Sequence, residues 1–157
     1  MGNNFEIDNL DRGILKGLIA DARTPFSEIA KQLGVSDGTI HVRVNRLKER
    51  GIIKGSKVVV DYQTLGFNIC AMIGINLREG KEYLPVLNKL RKIPEITEAH
   101  YTTGQYNLII KVMLTSTEHL YLFLMQILQQ VEGIQSTETF IVLDTPFVRE
   151  ASIEQVG

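Results

Sequence analysis

The segment SEIAKQLGVSDGTIHVRVNRLKERG, residues 27–51, spells two short helices joined by a tight turn. Ile29, Ala30 and Leu33 recur at helical spacing and Gly34 stops that helix. Ser36 then offers a hydroxyl to cap a further helix, in which Ile40, Val44 and Leu47 form one apolar stripe that ends near Gly51. A small residue where helices cross, a glycine four positions later and an apolar residue six beyond it are what a helix-turn-helix requires. Arg43 departs from that pattern, because its slot usually holds an apolar side chain that Val44 must replace here. Upstream, Asp8 caps a first helix with Leu10, Ile14, Leu18 and Ile19 on its apolar side, and Pro25 suits the first turn of the second. Three short helices make the N-terminal domain.

Charge sharpens the reading. The chain has 157 residues and a formal net charge of −1, yet from Thr39 to Lys57 the basic residues are Arg43, Arg46, Lys48, Arg50, Lys54 and Lys57 against one acid, Glu49. Residues 1–62 hold 10 Lys/Arg and 8 Asp/Glu, and residues 63–157 hold 7 and 10, so the two halves differ in sign. A near-neutral total excludes a protein that coats DNA through bulk charge, whereas a local cationic run suits specific docking. With residues 100° apart, the side of the third helix opposite Ile40, Val44 and Leu47 presents Gly38, Val42, Asn45 and Arg46, flanked by Thr39 and His41. Gly38 permits close approach, Asn45 and Arg46 suit base edges, and Val42 suits a thymine methyl in double-stranded DNA. Ser36, Arg50, Lys54 and Lys57 are candidates for phosphate contacts. His41 reads as a phosphate or solvent contact, since no ligand spacing supports a metal site and no cofactor is expected.

Beyond residue 62 the periodicity changes. NICAMIGINL (68–77) is a strand apolar on Ile69, Ala71, Ile73, Ile75 and Leu77 and half-apolar on its other side. A helix with Tyr83, Val86, Leu87, Leu90 and Ile93 follows and ends at Pro94. The alternating runs EITEAHYT and YNLIIKVML meet at Thr103-Gly104-Gln105, a hairpin turn. A second helix carries Leu120, Phe123, Leu124, Ile127, Leu128 and Val131, and a last strand runs from Ile134 to Leu143. IPEITEA (93–99) recurs loosely as VEGIQST (131–137), an offset of 38. Two strand-helix-strand halves with right-handed crossovers interleave into a four-stranded antiparallel sheet with both helices on one face. The other face draws on Met72, Ile109, Met113, Ile141 and Leu143, which predicts self-association through the sheet.

The fold class expected is therefore α+β: a winged-helix-like helix-turn-helix domain at 1–52, a strand-bearing linker at 53–66, a ferredoxin-like βαββαβ (ACT-like) domain at 67–146 and a tail at 147–157. No apolar run approaches the roughly 18–20 residues of a membrane span. The N-terminal MGNNFEIDNLD lacks a basic and an apolar targeting region, and Cys70 is the single cysteine, so a cytoplasmic, reducing setting without membrane attachment is expected.

IDNLDRGIL (7–15), GVSDGTIHVRV (34–44), YTTGQYNLIIKVM (101–113) and IQSTETFIVL (134–143) resemble the Lrp/AsnC family of transcription regulators over nearly the whole chain, especially its asparagine-responsive branch. The resemblance implies homodimers paired through their sheets, commonly assembled into octamers. It further implies a small amino-acid effector held where adjacent dimers meet. Carried over, the effector residues are Tyr101, Thr102, Thr103, Gly104, Gln105, Tyr106 and Asn107 with Gln135, Ser136, Thr137 and Glu138. Turn N–H groups suit a carboxylate, Glu138 an ammonium, and Gln or Asn an amide tail. Asn107 stands where many family members have Asp, which removes a charged partner for the ammonium. Three readings are separable: a ligand-gated regulator responding to asparagine or, alternatively, of the leucine type; a DNA-organising protein without effector; and a ferredoxin-like enzyme. The last lacks a nucleophile elbow, a Cys–His pair, a phosphate loop and a paired-carboxylate site.

Overall fold

The computed structural model describes residues 6–155, so the reading of residues 1–5 and of the last two residues falls outside the described residues. The described chain forms two compact units, one of residues 6–59 with 147–155 and one of residues 60–146.

In the first unit, α1 (Asn9–Ala20) begins in a reciprocal capping box: the Asp11 N–H donates to Asp8 at 2.8 Å, and the Asp11 carboxylate receives the Asp8 N–H. α2 (Phe26–Leu33) ends at Gly34, whose φ of +69° is the left-handed conformation that the turn demands. α3 (Asp37–Glu49) starts on Ser36, which accepts the Thr39 N–H at 3.2 Å. Ile14, Ile29, Ala30, Ile40, Val44 and Leu47 are buried together, each large apolar side chain contributing about 1.5–3 kcal/mol of burial. Ile19, expected in the α1 stripe, is 49% exposed; Leu15 is buried instead.

Arg43 is not a defect in this core. Its Nη1 donates to Asp8 Oδ2 at 2.5 Å and to Asp11 Oδ1 at 3.2 Å, and Asp11 is buried, at 1% exposure. A carboxylate taken from water needs a charged, hydrogen-bonded partner, and α3 supplies it to the start of α1.

In the second unit, β1 (Ile69–Leu77), α4 (Tyr83–Leu90), β2 (Ile96–Tyr101), β3 (Leu108–Leu114), α5 (Thr117–Leu122) and β4 (Ile134–Val142) follow the βαββαβ order. The sheet order is β2-β3-β1-β4, all pairs antiparallel. The 38-residue offset appears as the starts of the two edge strands, Ile96 and Ile134. Ala71, Ile73, Ile75, Leu108, Ile110 and Val112 pack one sheet face against Val86, Leu90, Phe123 and Leu128. α5 is not one regular helix. After Leu122 the backbone widens into a π turn at Phe123–Ile127 and tightens into a 3-10 turn at Leu128–Gln130. The wide turn spans the five-residue step from Phe123 to Leu128, both fully buried, which an α-helical turn would rotate apart.

Three expectations need correction. Residues 53–66 carry no strand in the single chain, and Val58 and Val59 are exposed, because a lone extended segment has no neighbouring ladder to bond. The segment 147–157 is not a separate tail: Ile153 packs against the helix-turn-helix core and Ile153–Gln155 forms a 3-10 turn there. Ile141 pairs with Ala71 and so shares the helix-side face, while Phe140, opposite Met72, occupies the open face; Leu143 lies past the strand.

Candidate nucleic-acid interface and effector site

α3 separates its sides as its spacing requires. Ile40, Val44 and Leu47 are buried, and Gly38, Val42, Asn45 and Arg46 are exposed, Val42 at 68%. A Cβ on Gly38 would meet only the Ser36 hydroxyl, at 3.9 Å, so this end of the helix is open for close approach. The flanking candidates take structural partners. The Ser36 hydroxyl is engaged as the N-cap and lies 2.9 Å from the Thr39 hydroxyl. His41 packs edge-on against Phe26 with ring centroids 4.7 Å apart, which places it on the α2 side of α3. Arg50, Lys54 and Lys57 are exposed along the exit of α3 and the segment after it. Arg43, the first basic residue of the cationic run, faces inward to Asp8 and Asp11 and holds their helix start. The Asp8 carboxyl is held below its ordinary range by the Asp11 N–H and then by the Arg43 guanidinium.

The turn between β2 and β3 is longer than three residues. Thr102 closes it, its N–H donating to Asn107 O at 3.0 Å and its hydroxyl to Tyr106 O at 2.7 Å. Gly104 sits at the tip with φ +113°, and a Cβ there would point into open space. Asn107 is pinned to the end of β1: its N–H donates to Ile75 O at 3.0 Å and its side-chain carbonyl accepts the Leu77 N–H at 2.9 Å. Tyr106 folds onto the open face of the sheet, where its hydroxyl donates to Glu138; this bond to a carboxylate, and then desolvation, push the phenol above its ordinary range. The ring lies over Gly74, where any Cβ would come within 2.6 Å of it. Gly74 opposes Glu138 in the ladder, and Asn76 donates to the Ser136 hydroxyl at 3.3 Å.

Within one chain, then, the structure gathers Tyr106, Glu138, Ser136 and Asn107 around Gly74 and Asn76. It does not gather all eleven effector candidates. Tyr101 shares the helix-side face and packs tilted against Tyr83 with ring centroids 4.4 Å apart, and Thr137, opposite Ile75, shares that face too. Thr103, Gly104 and Gln105 are exposed at the tip. Gly74, Asn76 and Phe140 escaped the sequence reading, although a glycine inside a strand is a recognised mark of close approach by another group. The open face beside them is mixed: Met72, Ile109, Met113 and Phe140 share it with Glu98, which pairs with Lys111 at 3.1 Å and His100 at 3.2 Å. Lys111 and then His100 hold the Glu98 carboxyl below its usual range. Among the described residues there is no group of three or more His, Cys, Asp or Glu placed to hold a metal ion, and no helix long and apolar enough to cross a membrane.

Comparison with known proteins gives this geometry its context. Residues 7–48 match the AsnC-type helix-turn-helix domain, and residues 70–151 match the Lrp/AsnC ligand binding domain. The chain is 50% identical to the regulatory protein AsnC of Escherichia coli K12 over 93% of its own length and 96% of the relative's. It is 41% identical to the HTH-type transcriptional regulator FL11 of Pyrococcus furiosus, covering 87% and 89% of the two chains. The solved structure of E. coli AsnC superposes with a TM-score of 0.90 at 48% identity, covering 94% of this chain and 99% of that one. A Neisseria meningitidis regulator, NMB0573, solved with L-Met, shares the fold at a TM-score of 0.85 and 20% identity, covering 91% and 94%. With an AsnC-type helix-turn-helix in its first unit and a Lrp/AsnC ligand-binding domain in its second, the chain belongs to the Lrp/AsnC family of DNA-binding transcription regulators.

Proposed function

We propose that α3 is the recognition helix and that a small amino acid, asparagine, modulates DNA binding from the second unit. The observation that carries the first part is the exposed side of α3: Gly38, Val42, Asn45 and Arg46 stand together on a helix whose other side is fully buried. Asn45 and Arg46 read base edges, Val42 meets a thymine methyl, and Arg50, Lys54 and Lys57 grip phosphates. Ser36 and His41 support the helix through its cap and through Phe26, and each contributes at most a peripheral contact.

The effector reading rests on the polar groups near the Gly104 turn and on likeness to AsnC. The N–H groups of the exposed turn at Thr103–Gln105 suit a carboxylate. Glu138, once Tyr106 gives up its hydrogen bond, suits an ammonium, and Ser136 or Gln135 suits an amide. Because Tyr101 and Thr137 lie on the other face and the turn tip is open, one chain supplies only part of the pocket, which agrees with a site completed by a neighbouring dimer. Homodimers paired through the face of Met72, Ile109, Met113 and Phe140, assembling into octamers, supply that neighbour. Such a regulator works in the cytoplasm, where the genome is, and its relatives are regulators rather than enzymes.

Thermal shifts of the full-length protein with each of the twenty amino acids test the reading. A ligand at 100 times its dissociation constant adds about 2.7 kcal/mol of stability. A shift with asparagine supports it, a shift with leucine alone moves the protein to the leucine type, and no shift with any amino acid removes the effector role. Selection of bound duplexes from random DNA tests the recognition helix, and equal retention of all sequences would overturn it.

A further inference from the structure

The C-terminal segment does not end beside the strand it leaves. After β4 the chain returns to the helix-turn-helix unit, and residues 147–155 belong to that unit. Its contact there is specific in position and chemistry. Ile153 is half-buried against the core, at the edge of a groove of about 420 Å³ lined by Leu15, Leu18, Phe26, Val44 and Ile53. Beside it, Glu154 accepts from Lys16 Nζ at 2.5 Å, a pair 138 residues apart in sequence. The stretch before the contact is exposed: Phe147 is 69% and Val148 84% accessible, so the segment reaches α1 as a leash with its grip at the end.

The topology gives this grip a consequence. The chain crosses between the units twice, once ahead of β1 and once after β4. Those strand ends are neighbours, since Cys70 opposes Val142 in the ladder. A module on one linker swivels about it; a module held also by a second strap from an adjacent strand end has fewer orientations open to it. The strap also continues β4, the strand that carries Ser136 and Glu138.

We infer that residues 147–155 are a clip that restricts the orientation of the DNA-binding unit, with Ile153 as its apolar anchor and the Glu154–Lys16 pair as its register. The inference rests on the recognition-helix reading and not on the effector. A clipped pair of units in an oligomer tolerates one half-site spacing, and an unclipped pair tolerates many.

The test uses the full-length protein and a duplex selected by it from random DNA, in two versions, one with about 5 base pairs inserted between half-sites, half a helical turn. In the parent the insertion leaves only one unit engaged, an expected loss of roughly 100-fold or more. Ile153→Asp, at a surface position, should reduce that penalty to below about tenfold, with binding to a single half-site unchanged. Hydrogen exchange of residues 147–155 should rise in the same variant. Glu154→Lys should raise that exchange by about two- to fivefold, and Lys16→Glu with Glu154→Lys should restore it. Parent-like exchange in Ile153→Asp would show that the clip is not seated, and a parent-like spacing penalty with raised exchange would show that it does not orient the unit. Either result overturns the inference. Loss of half-site binding in the parent itself would instead remove the recognition-helix reading.

Discussion

The two units of this protein differ in how much of their task one chain completes. The helix-turn-helix unit closes its core on Ile14, Ile29, Ile40 and Leu47, pairs its buried charge and leaves one polar face of α3 outward. The sheet unit closes only one side: its open face keeps Met72, Ile109, Met113 and Phe140 beside charged groups, and its candidate site groups divide between two faces and an exposed turn. A domain that reads DNA needs one rigid convex surface, which three helices supply. A site that senses a small molecule through assembly gains from being incomplete, because the ligand then favours the assembled state by differential contact.

The sharpest way to break this comparison is through the two cores. Phe123→Ala should cost the sheet unit about 3–5 kcal/mol and Ile40→Ala the helical unit about 2–5 kcal/mol, since both side chains are fully buried in separate clusters. In calorimetry each variant should lower one unfolding transition; equal lowering of all transitions by both variants would show that the units share a core. Next in size is Arg43→Ala, which leaves the Asp11 carboxylate buried without its cation at a cost of about 2–3 kcal/mol, reduced from a full buried pair because Arg43 is 26% exposed. A double-mutant cycle with Asp11→Asn should show that the two losses do not add.

Smaller effects should separate by unit. Arg46→Ala should cost about 1–3 kcal/mol of operator binding and relax specificity, whereas Lys54→Ala should weaken all sequences evenly and reduce the salt slope by about one. Gly104→Val should abolish the calorimetric response to asparagine while operator affinity stays at the parent value. The cause is conformational: no atom of the chain crowds a Cβ there, but φ of +113° is a conformation valine rarely adopts. The smallest effect concerns pH. The native Asp8 carboxyl titrates below its unfolded value, so its contribution is complete above that unfolded value of about 3.9 and is lost as pH falls through the native one. Asp8→Asn keeps the cap, so the difference in melting temperature between parent and variant should shrink as pH falls below about 4.

The sequence by itself determined the elements and their order, because these follow from local rules. Apolar spacing of three and four placed the stripes of α2 and α3, and Ser36 and Asp8 marked helix starts. Alternation placed the four strands, and the 38-residue repeat forecast the two edge strands. The exposed side of α3 was equally legible, since a helix has one phase and the buried stripe sets it. Only the tertiary structure decided relations between residues far apart in the chain. It turned Arg43 inward to Asp11, laid Tyr106 over Gly74, assigned Phe140 rather than Ile141 to the open face, inserted the π turn at Phe123, and carried Ile153 back to α1. Periodicity reports which side of an element is apolar. It carries no information about which distant group meets that side, because a contact across 32 or 138 residues depends on the packing of everything between them.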